Sequence, residues 1–193
     1  MFSPPAILET EVFAELPAEF RRPKLTEFGE INRGGQPLHS YLEGPSFDRE
    51  GNLYLVDIPF GRLFRVSPEG IFSFVAEYDG EPNGLKIHKD GRIFITDHKN
   101  GLMQLDPASG TVTPLIERRR TERFKGLNDL FFAGNGDLYF TDQGQTGLQD
   151  PSGRVFRLTA AGRLELLLAG IPSPNGLVMN LEESALLVAV TRG

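Results

Sequence analysis

One phrase recurs four times along this chain, and a repeat of that kind constrains the fold more than any local propensity does. In the first copy Glu43-Gly44-Pro45-Ser46-Phe47-Asp48 leads through Glu50-Gly51-Asn52 into Leu53-Tyr54-Leu55-Val56-Asp57. In the second, Asn83-Gly84-Leu85-Lys86-Ile87-His88 leads through Asp90-Gly91-Arg92 into Ile93-Phe94-Ile95-Thr96-Asp97. The third runs from Asn128-Asp129-Leu130-Phe131-Phe132 through Asn135-Gly136-Asp137 into Leu138-Tyr139-Phe140-Thr141-Asp142. A fourth opens at Asn175-Gly176-Leu177-Val178-Met179 and passes through Glu182-Glu183-Ser184 into Ala185-Leu186-Leu187-Val188-Ala189, with Ala189 at the aspartate's place. Opening residue and closing aspartate are 14 apart in the first three copies, and the openings at 43, 83, 128 and 175 are 40, 45 and 47 apart.

Each copy joins a short apolar strand to an alternating strand rich in aromatic and branched residues across a turn, usually glycine-containing, which is a hairpin pattern. Two more strands follow in the full copies, Arg62 to Val66 and Ile71 to Val75 in the first, Arg154 to Leu158 and Arg163 to Leu167 in the third. Four antiparallel strands in roughly 45 residues make the blade of a β-propeller. The expected fold is therefore all-β, a single propeller domain over residues 1–193 with about three and a half blades starting near 43, 83, 128 and 175. Glu9 to Leu16 reads as the outer strand of a further blade, the one that closes the ring. The best helical stretch, Pro17 to Arg22, is short and flanked by proline. A β-sandwich is the structural alternative, but it does not explain a repeat that restarts each time with the same chemistry.

The opening residue of a blade lies on the strand that lines the central channel, so Glu43, Asn83, Asn128 and Asn175 are expected to meet at one rim of the axis. One carboxylate with several carboxamide oxygens is a hard-oxygen set suited to Ca²⁺. Mg²⁺, Mn²⁺ and Zn²⁺ are the alternative ions. The competing reading of the asparagines is turn chemistry, since Asn-Gly before a strand often supplies a left-handed residue. Asp57, Asp97 and Asp142 sit one strand away and are expected to cap the blades. His39 precedes Glu43 by four residues and could overhang the rim as a proton-transfer group. His88 alternates with apolar neighbours, as a structural residue does, and His98 stands on the substrate side.

The motifs Leu42-Glu43-Gly44-Pro45, Gly126-Leu127-Asn128-Asp129 and Ser173-Pro174-Asn175-Gly176-Leu177 resemble three metal-site motifs of the gluconolactonase and senescence-marker-protein (SMP-30, regucalcin-type) family, over about Glu9 to Arg192. The resemblance implies a six-bladed propeller with Glu43, Asn128 and Asn175 as direct calcium ligands. It also implies hydrolysis of a lactone, with the metal polarising the carbonyl for attack by water. The family's remaining ligand and proposed general base is an aspartate on a later blade, beyond the point where this sequence stops. Six blades need on the order of 270 residues, so an incomplete ring is expected, and the catalytic residue is left unassigned apart from His39. Asn83 lies on a blade that supplies no direct ligand in the family and is assigned to substrate or a bridging water. His98 and Gln143, on rim loops, are assigned to substrate. Gly126 stands where sugar-lactone members can carry an arginine, which puts a gluconolactone-like substrate in question.

Composition narrows the partners. A net charge of −6 with a pI near 5.2 argues against nucleic acid, which needs clustered Lys and Arg, and the basic run Arg118-Arg119-Arg120 is bracketed by Glu117 and Glu122. Without cysteine there is no disulfide, thiolate metal site or cysteine nucleophile. No Gly-x-Ser-x-Gly elbow marks a serine esterase. The N-terminus has neither a basic region nor a long apolar run, and nothing approaches a membrane span, so a cytoplasmic protein acting on a small molecule is expected. Its oligomeric state is left open. A phosphotriesterase-like hydrolase and a non-catalytic, ligand- or partner-binding propeller are the rival functions.

Overall fold

The structure is a computed structural model that describes residues 6–193; Met1 to Pro5, part of the segment read above for a leader, lie outside them. β1 (Leu42–Phe47), β2 (Leu53–Asp57), β3 (Arg62–Val66) and β4 (Phe72–Glu77) form a four-stranded antiparallel sheet in chain order. A second is built from β5 (Pro82–Ile87), β6 (Ile93–Asp97), β7 (Gly101–Asp106) and β8 (Thr111–Ile116). A small hairpin, β9 (Arg118–Arg119) with β10 (Glu122–Arg123), leads to the third sheet. That sheet is β11 (Leu127–Phe132), β12 (Leu138–Asp142), β13 (Gly153–Leu158) and β14 (Leu164–Ile171), followed by the pair β15 (Pro174–Met179) and β16 (Leu186–Val190). The first strands gather side by side, β1 next to β5, β5 next to β11 and β11 next to β15.

The apolar face of each sheet is buried against the next one, which is why the second strands are apolar almost throughout. Val56 and Leu63 meet Leu85 and Ile95 between the first two sheets. Phe94 and Leu102 meet Phe140 and Phe156 between the second and third. Val155 and Tyr139 meet Leu177 beyond them. The fourth sheet has only two strands among the described residues, and Val178 and Leu187 on it are exposed.

The repeat differs from expectation in its fourth copy. In the first three, a backbone N–H bonds a carbonyl four residues on across the turn: Asp48 to Asn52, His88 to Arg92, Ala133 to Asp137. In the fourth, Asn180 bonds Ala185, one residue further, and Glu183 takes up the slack with a φ of 51°. Val190, not Ala189, therefore pairs with Pro174, as Asp57, Asp97 and Asp142 pair with Leu42, Pro82 and Leu127. Glu9 to Leu16 also departs from the reading: it forms no strand, because no strand among the described residues lies alongside to pair with it. Pro17 to Arg22 holds a single 3-10 turn, Ala18–Phe20. Phe20 packs edge-on to Phe64, with ring centroids 4.9 Å apart. The chain then makes one short helix, α1 (Glu27–Asn32), whose N-cap hydroxyl on Thr26 accepts from Gly29 N–H.

The three closing aspartates are 0 % exposed and each accepts several hydrogen bonds. Asp57 accepts from Tyr41 N–H at 2.7 Å and from Arg62. Asp142 accepts from Lys125 and Gly126 N–H at 2.7 and 3.0 Å and from Arg154 Nε at 2.7 Å. At the second blade Gly101 stands in the arginine's cross-strand position, so Asp97 takes the Tyr78 hydroxyl at 2.6 Å and the N–H groups of Lys99 and Asn100. In the first and third blades these bonds hold the loop that enters the first strand. Truncating a partner would leave a buried charge short of its ion pair. Arg154→Met is expected to lower unfolding free energy by about 3 to 5 kcal/mol in denaturant titration, whereas Arg163→Met, on the exposed edge of the same blade, stays within about 0.5 kcal/mol.

Candidate functional site

Each first strand loses register with its partner at or just after the residue that opens the repeat: Asn83, Asn128 and Asn175 fall inside the shift, and Glu43, still paired with Val56, stands at its edge. The shifts fall between Glu43 and Ser46, Pro82 and Gly84, Leu127 and Leu130, and Pro174 and Leu177. A bulge sets extra backbone against one partner residue and re-aims a side chain, so the same local defect recurs on all four strands. The turn reading of the Asn-Gly pairs fails: none of Asn83, Asn128, Asn175, Gly84 or Gly176 has a positive φ. Gly84 is needed for a different reason. A Cβ there would come within 2.6 Å of the Asn128 carbonyl and 2.5 Å of Thr96 Oγ1, so its hydrogen allows the neighbouring blade to approach.

In the second and third blades the bulge is pinned by the threonine before the closing aspartate. Thr96 Oγ1 accepts from Gly84 N–H at 3.0 Å and donates to the Asn128 carbonyl of the next blade at 2.6 Å. Thr141 Oγ1 accepts from Asp129 N–H at 3.1 Å and donates to the Asn175 carbonyl at 2.7 Å. Glu43, Asn83, Asn128 and Asn175 all enter the wall of one cavity of about 250 Å³. The same four border a second hollow of about 210 Å³ with Pro45, Lys86 and Asp129, so they form the waist between the two. Burial, reinforced by the charge of Asp129, pushes the Glu43 carboxyl up from its usual range against an opposing Gly44 N–H bond.

Other sequence candidates fall in different places. The His39 ring is exposed, bonded to Ser40 at 3.0 Å, and the cavity wall does not include it; its carbonyl accepts from Arg62 instead. His98 does line the cavity. Its Nδ1 is buried without a partner, and burial pushes its pKa down, which keeps the ring neutral near pH 7. The ring lies against Gly126, where a Cβ would meet Nε2 at 2.5 Å. Gln143 borders the cavity, but its amide is taken up by Asn128, Ser173 and Thr191. Two contributions were missed in the sequence. Asp129 brings a second carboxylate near Glu43, hidden because its neighbour Asn128 carries the repeat. Phe28, Asn32 and Arg33 of the α1 segment, with Tyr41, line the same cavity; a six-residue helix is too short to show a period.

No group of three or more His, Cys, Asp or Glu among the described residues could hold a metal ion, so a cation at the waist would depend on carboxamides. The donor set fits a hard divalent ion: one Glu43 carboxylate and the Asn128 and Asn175 oxygens, with no sulfur and with His98 as the nitrogen donor in the wall. Asn128 gives its Nδ2 to Gln143 at 2.7 Å, which leaves its oxygen for the cavity.

The family model for the SMP-30/Gluconolactonase/LRE-like region matches residues 42–192. The chain belongs to this family. A gluconolactonase of Zymomonas mobilis is 32% identical over 172 residues, covering 77% of this chain and 48% of the relative. Among solved structures, a gluconolactonase of Xanthomonas campestris aligns with a TM-score of 0.71 at 24% identity, over 79% of this chain and 55% of that one. A calcium-binding regucalcin of Agrobacterium tumefaciens aligns with a TM-score of 0.59 at 24% identity, over 72% and 46%. At that identity the structural likenesses carry the propeller-family fold. The chain spans about half the length of the curated relatives it matches.

Gly126 of this SMP-30/gluconolactonase-family chain has a φ of 146°, so Gly126→Ala adds backbone strain to the collision with His98. Gly91, with a φ of 91° and open space around it, carries backbone strain alone. Gly126→Ala is expected to cost more than about 1 kcal/mol and more than Gly91→Ala. In a His98→Ala background its cost should fall, a coupling measured by a double-mutant cycle of unfolding free energies.

Proposed function

We propose that the chain carries the metal-holding part of a divalent-metal-dependent hydrolase that opens lactones or related cyclic esters, with calcium as the ion. The observation that supports it best is the recurrence of one bulge on four neighbouring strands, bringing Glu43, Asn83, Asn128 and Asn175 to a single cavity. Interaction surfaces have no need to line an axis with one carboxylate and three carboxamides. The family membership and the printed activity of the Zymomonas relative, gluconolactonase, agree with this reading, and the regucalcin neighbour is described as calcium-binding. The blades starting near 43, 83, 128 and 175 belong, in this reading, to a six-bladed propeller.

Glu43, Asn128 and Asn175 hold the ion. It supplies Lewis-acid polarisation of the ester carbonyl when bound. Water adds to that carbonyl, the ring C–O bond breaks, and a hydroxy acid leaves. Asn83 orients a substrate hydroxyl or a bridging water from the neighbouring blade. His98, which lines the same cavity, contacts the substrate there. Phe28 and Tyr41, 5.3 Å apart at their ring centroids, add an aromatic pair to the cavity wall.

Glu43→Gln removes the charge of the ligand set and is expected to weaken calcium binding on the order of 10-fold or more, with a parallel loss of lactone hydrolysis. Asp97→Asn, which alters a buried scaffold group, lowers thermal stability and leaves calcium affinity near the parent value. Calorimetric titration of both variants decides this, and equal effects would refute the division between site and scaffold. Rates on a lactone and on a phosphotriester, measured side by side, separate the two hydrolase classes.

A further inference from the structure

Asn128 can face the cavity with its oxygen or with its NH₂, and only the oxygen serves a cation. We propose that Gln143 is a positioning residue that sets this choice, holding the Asn128 NH₂ away from the axis so that Oδ1 is presented to the metal. The inference rests on the metal-site reading given above and adds to it a residue that acts on the ion through Asn128.

The argument follows a line of hydrogen bonds outward from the waist. Asn128 Nδ2 donates to Gln143 Oε1 at 2.7 Å. Gln143 Nε2 donates to Ser173 Oγ at 2.8 Å, with Thr191 Oγ1 at 3.3 Å. The Ser173 and Thr191 hydroxyls are 3.0 Å apart and either can donate to the other, so the pair can accept both N–H groups of the Gln143 amide, which leaves Gln143 Oε1 turned toward the Asn128 NH₂.

The surroundings are built to keep Gln143 still. Asn128 and Gln143 are each 7 % exposed, Thr146 2 % and Ser173 0 %. Thr146 Oγ1 donates to the Gln143 carbonyl at 2.5 Å and accepts from Ser173 N–H at 3.0 Å, so the backbone of Gln143 is tied to the residue that receives its side chain. Ser173 has a φ of 53°, an uncommon conformation for serine that aims its hydroxyl at this point of the network. Groups that orient a metal ligand are worth 10- to 100-fold in affinity, and a loosely held carboxamide would spend part of its time showing the wrong end.

The test is calcium titration of the full chain by calorimetry, with terbium luminescence as a second probe, on wild type and three variants whose folding is checked by thermal unfolding. Gln143→Leu removes the acceptor that holds the NH₂ and is expected to weaken calcium binding on the order of 10- to 100-fold. Gln143→Glu keeps an acceptor and retains binding within a few-fold of wild type or better. The decisive variant is the double substitution Gln143→Leu with Asn128→Asp, because a carboxylate presents an oxygen whichever way it is turned; it should restore most of the lost affinity. A merely structural role for Gln143 predicts no such rescue. Binding by wild type with Gln143→Leu unchanged, or loss in Gln143→Leu without rescue by Asn128→Asp, overturns the positioning role. Absence of calcium binding in wild type instead overturns the metal-site reading itself, and the present inference falls with it.

Discussion

The hydroxyl of Thr96 lies between two backbones that would otherwise have no bond to each other at this depth. It accepts from Gly84 of its own blade and donates to the Asn128 carbonyl of the next; Thr141 does the same between Asp129 and Asn175. Both threonines are 0 % exposed, so a hydroxyl left without its partners there would carry the desolvation cost of a buried polar group, about 1 to 3 kcal/mol. A bulge frees backbone N–H and C=O groups from the ladder. Here the freed groups of one blade and the next share one hydroxyl, and this makes the bulge and the blade contact a single feature. The positions of the cavity residues follow from it, because they sit on the bulged segments.

The aspartates that close the first three copies act one step further out. Asp57 and Asp142 draw in the backbone just before the first strand and hold it with an arginine at the start of the third. Asp97 reaches the same end with a tyrosine hydroxyl. The pair is thus interchangeable in its partner but not in its acceptor. That explains a repeat that keeps aspartate while the partner varies between arginine and tyrosine. The first blade has Val56 in the threonine's place, so the carbonyl of Asn83 receives no such hydroxyl from its neighbour.

Much of this was legible in the sequence because a repeat reports geometry that a single strand does not. The four openings, the aspartates and the hairpins follow from spacing alone, and the family model matching residues 42–192 agrees with the resemblance drawn from the Glu43, Asn128 and Asn175 motifs. Spacing misled where one residue was added. The turn from Asn180 to Ala185 is longer by one than its equivalents, and counting from Asn175 therefore lands on Ala189 rather than Val190. The Asn-Gly pairs were ambiguous because a left-handed turn and a close backbone approach both favour glycine; only the φ values separate them. The α1 segment beside the cavity left no period to read, and the contact between Gly126 and His98 links residues 28 positions apart, which no local pattern encodes.

The electrostatics of the waist bear on why amides outnumber acids there. Glu43 is already held above its usual range, first by burial and then by Asp129, so a further carboxylate among the opening residues would add like-charge repulsion at short range in a poorly solvated wall. Carboxamides avoid that cost, since they offer oxygen without charge, but they offer it only if the NH₂ is directed elsewhere. A ring of asparagines around one glutamate therefore transfers the problem from charge to orientation. The amide of Asn128 meets it with a buried acceptor, the side-chain oxygen of Gln143, so at this position the residue behind the asparagine bears on which end of the amide the cavity meets.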